Sequence, residues 1–154
     1  MPAPARPPVG RTLARTAKVV SRAFDDALTT AGGSLPIWLI MISLRTERSE
    51  TQRELAEAVG IKAATLTHHL NAMEADGLVV RRRKPDNRRV HDVQLSDRGE
   101  ALFHRLAAAA VSHDRRLRAG LSDDDLATLD HLLDRLRHNV ADPSLAEPLD
   151  QRPA

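Results

Sequence analysis

Residues 51–95 read TQRELAEAVGIKAATLTHHLNAMEADGLVVRRRKPDNRRVHDVQL, and this stretch decides the fold. Thr51-x-x-Glu54 is a capping box, which predicts a short helix running to about Ala58, with Gly60 ending it. A second helix is expected from about Lys62 to Asp76, with Leu66, Leu70 and Met73 at i, i+4 and i+7, and Gly77 ends that one. The junction between them, Val59-Gly60-Ile61, is only about three residues long. Leu78–Lys84 and Arg89–Leu95 then read as two strands around a turn at Pro85-Asp86-Asn87, with Val93 and Leu95 alternating with Asp92 and Gln94. Helix, tight turn, helix, and a hairpin with a basic tip is the order of a winged helix-turn-helix, whose interior would be Leu55, Ala56, Ile61, Leu66, Leu70 and Met73.

With the apolar positions assigned inward, the second helix is left with Lys62, Ala63, Ala64, Thr65, His68, His69 and Asn71. These are short or polar residues. They let a helix backbone approach base pairs in the major groove of double-stranded DNA while hydroxyl, imidazole and amide groups read base edges. Beyond that helix, Arg82, Arg88 and Arg89 of the hairpin are placed to follow phosphates or to enter the minor groove. A charge run alone is also what a solvated face looks like; its position directly after a reader helix favours the DNA reading.

The flanks read as helices. Leu13, Ala17, Val20, Phe24, Leu28 and Ala31 recur at helical spacing, and Gly32-Gly33 stops that helix. Ser34 is placed to cap the next, with Pro36 in its first turn. The run Leu35–Ile42 suits either a strand or a buried helix, and a capped buried helix fits its neighbours better. After the hairpin, Ser96 starts a helix from about Asp97 to Arg118, roughly 30–35 Å long. Ser122-x-x-Asp125 caps a last helix whose stripe is Leu126, Leu129, Leu133, Leu136 and Val140. Residues 1–10 are expected to form a disordered Pro-rich arm and residues 141–154 a flexible tail, leaving one domain over 11–140. The fold class is therefore mainly α with a small β-hairpin wing, one chain length of 154 residues being ordinary for a single domain.

Formal net charge is only +2, but it is unevenly spread. Residues 1–24 hold five basic residues and no acid, residues 81–89 hold six basic residues against Asp86, and residues 122–134 hold five Asp with no Lys or Arg. Basic residues are mostly Arg, with only Lys18, Lys62 and Lys84 besides; Arg suits phosphate and base-edge contact, although genomic base composition can produce the same bias. There is no Cys, which excludes disulfides, thiolate zinc sites and thiol redox sensing. Phe24, Trp38 and Phe103 are the only aromatics, too few for a single-strand stacking platform.

Several of these stretches together are similar to the MarR family of bacterial transcription regulators. They are Thr51-Gln-Arg-Glu-Leu-Ala-Glu-Ala-Val-Gly-Ile, Thr65-Leu-Thr, Met73-Glu-Ala-Asp-Gly-Leu-Val, Asp86-Asn-Arg-Arg and Leu95-Ser-Asp-Arg-Gly. The Asp86-x-Arg88 wing followed eight residues later by Ser96-x-x-Gly99 is the more specific part, and the resemblance covers about residues 10–140. It implies a homodimer on palindromic DNA, with dimerisation helices over 11–45 and 97–140 and a DNA-binding lobe over 51–95. It further implies Thr51 on a phosphate, Thr65 and His68 on bases with Ala64 beside them, Arg88 in the minor groove, and Asp86 pairing with an Arg to hold the wing. His68 stands where the family more usually has a basic residue.

Trp38 reads as core, or else as a wall, with Met41, of a pocket for a small aromatic or phenolic effector, with Lys18 or Arg22 as its counter-ion. That pocket is what the resemblance implies, and it makes the protein a repressor released by ligand. The alternatives are a constitutive or architectural DNA binder without effector, and a winged helix used for protein contact. No nucleophile–base pair, phosphate loop or paired carboxylate motif is visible, so no enzyme and no cofactor is expected. Adjacent His68 and His69 diverge on a helix, and the other histidines form no i, i+4 pair, so no metal site is expected. Without a membrane-length apolar run or a signal-peptide core, a cytoplasmic location is the expectation.

Overall fold

The computed structural model describes residues 7–46, 52–84 and 87–142, with side chains outside 82–92. The elements are α1 (Val9–Thr30), α2 (Leu35–Thr46), α3 (Gln52–Val59), α4 (Ala63–Ala75), β1 (Val79–Lys84), β2 (Asn87–Leu95), α5 (Asp97–Leu117) and α6 (Asp123–Ala141). They divide into two compact units, one ending at Asp114 and the other beginning at Arg115. The mainly helical class with a hairpin wing is what the sequence led us to expect.

Two boundaries differ from expectation. α1 already begins at Val9, inside the stretch 1–10 that was expected to be a Pro-rich arm. Pro8 is the N-cap, and its carbonyl accepts from Arg11 N (3.0 Å) and Thr12 N (3.2 Å), which draws Val9 and Gly10 into the first turn. β2 begins at Asn87 rather than Arg89, because Asn87 pairs with Lys84 and so belongs to the ladder instead of the turn.

The ambiguous run at 35–42 is helical. Trp38 N donates to Ser34 O (2.9 Å), and Ile37 N reaches Ser34 Oγ (3.5 Å), so Ser34 does start α2. A helix is favoured here because burial is not confined to alternate positions: Ile40 and Met41 are adjacent and both have no exposed surface. Leu28, Leu55, Ala56, Val59, Leu66, Leu70, Met73, Leu78, Val79, Leu102 and Leu106 complete that core, drawing on α1 through α5 and on β1.

The α3–α4 turn depends on Gly60 at φ +74°, a conformation that costs a side-chain-bearing residue energy. Ile61 N then bonds back to Ala56 O (3.0 Å), sealing the turn. At the root of the wing, Ser96 Oγ donates to Gly77 O (2.5 Å) and accepts from Gly99 N (3.0 Å), capping α5 while holding it to the start of β1. Gly99 lies so close to that junction that a Cβ would sit 2.0 Å from Leu78 O.

In the second unit, α6 opens with a complete capping box. Ser122 Oγ accepts from Asp125 N (3.2 Å), and Asp125 Oδ2 accepts from Ser122 N (2.9 Å). That backbone N–H first, and the Ser122 hydroxyl second, hold the Asp125 carboxyl below its ordinary pKa.

Candidate nucleic-acid interface

α4 is positioned by its apolar side. Leu66, Leu70 and Met73 are buried, which fixes the rotation of the helix about its own axis. At about 100° per residue, Ala64, His68 and Asn71 fall on the opposite face, with Thr65 at its edge. All four are exposed, as are Lys62 and Ala63. His69, read from the sequence as part of the same face, is half-buried and lies toward the core side of the helix. The rings of His68 and His69 stand edge-on with centroids 6.0 Å apart. Thr51 and Asp86, the expected phosphate and wing contacts, lie outside the described residues.

The hairpin runs antiparallel beside this helix. Its register pairs Val79 with Leu95, Arg81 with Val93 and Arg83 with His91, then jumps to Lys84 with Asn87. Residues 88–90 therefore have no partner across the ladder, and the backbone places Arg88 and Arg89 at the tip of the wing, where the sequence put them.

Arg81 is one residue that sequence reading missed. Its Nη2 donates to Asn71 Oδ1 (2.8 Å), and its Nη1 pairs with Glu74 Oε2 (3.4 Å). Nε is buried with no hydrogen-bond partner among the described residues, and only 19% of the side chain is exposed. Asn71, expected as a free reader, thus has its amide oxygen occupied from within the chain. A signal was available: Val79 faces the core, so the period of two turns Arg81 to the same side.

The expected effector residues are dispersed. Met41 has no exposed surface, because α2 turns it inward beside Ile40. Trp38 is half-buried and stacks on Phe103, with ring centroids 5.4 Å apart and planes 26° apart. Lys18 and Arg22 are exposed on α1. Not foreseen was Arg45, whose guanidinium lies 4.6 Å over the Phe103 ring and pairs with Glu100. A groove of about 590 Å³ also runs along α1, lined by Pro7, Arg11, Thr12, Arg15, Thr16, Val19 and Val20.

A model of the MarR family matches residues 34–91, from the start of α2 into the wing. The solved structure of the transcriptional regulator PA3341 is 30% identical, covering 86% of this chain and 97% of that one, with a TM-score of 0.66. This chain belongs to the MarR family. The transcriptional repressor CouR, solved bound to a 23-mer DNA duplex, is 27% identical over 84% of this chain and 92% of that one, with a TM-score of 0.73. The Mycobacterium tuberculosis MarR family protein Rv2887, solved in complex with salicylic acid, is 25% identical over 86% of this chain and 98% of that one, with a TM-score of 0.64. MarR membership makes this chain a DNA-binding transcription regulator. Family and fold alike are those of transcription regulators rather than enzymes. Among the described residues, no single helix is long and apolar enough to cross a membrane.

Proposed function

We propose that the protein is a cytoplasmic homodimeric repressor that binds a palindromic double-stranded operator sequence-specifically and leaves it on binding a small aromatic or phenolic acid. The observation that carries the DNA reading is the exposed face of α4, Ala64, Thr65, His68 and Asn71, lying beside a hairpin with Arg88 and Arg89 at its tip. Thr65 and His68 read bases, Lys62 and Thr51 meet phosphates, Arg82 and Arg89 follow the backbone, and Arg88 enters the minor groove. His69 supports that face from its inner edge, and Asp86 holds the wing through an Arg.

Dimerisation is supported by apolar surface left uncovered in a single chain. Leu13 and Val19 of α1 are exposed, and α6 has no buried residue at all, with Leu129 and Leu132 about half exposed. Such faces call for a second copy, as the helices over 11–45 and 97–140 would supply. Effector binding is supported by the half-buried Trp38 ring with Phe103 and the Arg45 cation above it, a combination that suits an aromatic carboxylate, with Lys18 or Arg22 as further cations. The relative that holds salicylic acid makes that compound the first to try.

The decisive measurement is anisotropy of labelled duplex from the gene's own upstream region against random duplex, at roughly 150–200 mM salt. Equal affinity for both would refute sequence-specific regulation. A thermal-shift titration with salicylate then separates a ligand-released repressor from a constitutive binder, since a ligand of the native state raises the melting temperature.

A further inference from the structure

We propose that Arg81 determines which base Asn71 reads, by occupying its amide oxygen and leaving its N–H donors to the DNA; this rests on the DNA reading above. An asparagine with both ends free recognises adenine, accepting from N6 while donating to N7. Asn71 does not have both ends free. Arginine carries donors only, so the Asn71 atom 2.8 Å from Arg81 Nη2 must be the oxygen, and the amide nitrogen is turned away from the guanidinium. Asn71 sits on the same exposed face as Ala64 and His68, one turn beyond His68. The oxygen keeps a second lone pair, but the bond turns that atom toward the guanidinium, and Nδ2–H becomes the end that Asn71 offers to a base.

A donor amide prefers an edge made of acceptors, guanine N7 and O6 or thymine O4, over adenine, whose N7 acceptor stands beside the N6 donor, and over cytosine, which presents the N4 donor. The arrangement is not a loose surface contact. Arg81 is anchored from a second direction by Glu74 at 3.4 Å, its Nε is enclosed, and its strand neighbour Val79 is in the core. Rotating Asn71 to free its oxygen would leave the mostly buried Arg81 charge with Glu74 as its one remaining partner among the described residues. Arg81 is thus a positioning residue that works through Asn71.

The test is selection from a randomised duplex pool by the full chain, comparing wild type with N71A, R81M, R81K and the double variant N71A/R81M. In wild type, one position of each half-site that depends on Asn71 shows guanine or thymine. N71A flattens that position, a loss of roughly 5- to 100-fold in discrimination, and leaves the others intact. R81M keeps the apolar stem but frees the amide, so the same position swings to adenine; R81K retains a donor and restores the original preference at least in part. N71A/R81M shows no swing. Because the readout is a ratio between sequences, a variant that merely folds less well lowers yield without moving it. Adenine or cytosine at that position in wild type, no position that responds to N71A, or no swing in R81M overturns the proposal. A wild-type protein that enriches no sequence would instead refute the DNA reading itself.

Discussion

Leu70 and His68 stand two positions apart on α4 and face opposite demands. Leu70 has no exposed surface, so Leu70→Ala should remove about 2–5 kcal/mol of stability, measured by chemical denaturation. His68 is exposed, so His68→Ala should leave stability within about 0.5 kcal/mol and instead relax discrimination at particular base pairs by about 1–3 kcal/mol, read by competition among single-base operator variants. A protein-contact module would show no such base dependence. At this scale the sequence was partly legible. Buried leucines could be read from their spacing, and the exposure of Thr65 and His68 followed from it. The strand period of two sets Arg81 on the side of Val79 and apart from Arg82, but that it reaches Asn71 could not be read, because that depends on the position of β1 against α4. Met41 and Trp38 were indistinguishable for a related reason: in an apolar run such as Leu35–Ile42, no polar face marks which residue turns inward.

Among the elements, the junction of the hairpin with α5 is the least tolerant of added atoms. A methyl group at Gly99 would overlap a backbone carbonyl that already accepts from Ser96 N (3.0 Å). Gly99→Ala should therefore cost at least about 1–3 kcal/mol, lower the melting temperature and loosen the wing, visible as faster amide exchange in Val79 and Arg81. The start of α6 predicts a pH dependence. Asp125 has a folded pKa below its ordinary 3.8, so its stabilisation is complete above that value and is lost as pH falls through the lower folded one. Acidification below about pH 4 should fray α6, Asp125→Asn should abolish that part of the transition, and helicity by circular dichroism would follow both. Elements were more legible than residues, since capping boxes, glycine stops and Ser96 declare helix ends chemically. The start of α1 was obscured because Pro8 looked like part of a Pro-rich arm, when a proline with its carbonyl free can equally open a helix.

For the whole molecule, the small net charge hides a polarity of function. Six basic residues around the wing predict steep salt dependence of DNA affinity, and Arg88→Ala should reduce the slope of log K against log salt by about 1 while weakening all sequences alike. Uncovered leucines on α6 predict association that falls with dilution: sedimentation should find a dimer, and Leu132→Glu should shift it toward monomer and reduce cooperative operator binding. The Trp38–Phe103 stack has one more consequence. The chain holds one tryptophan and no tyrosine, so its ultraviolet emission comes from a single indole lodged between α2 and α5. Any event that shifts α2 against α5, whether operator docking or effector entry, should change the colour and intensity of that light without a dye having to be attached.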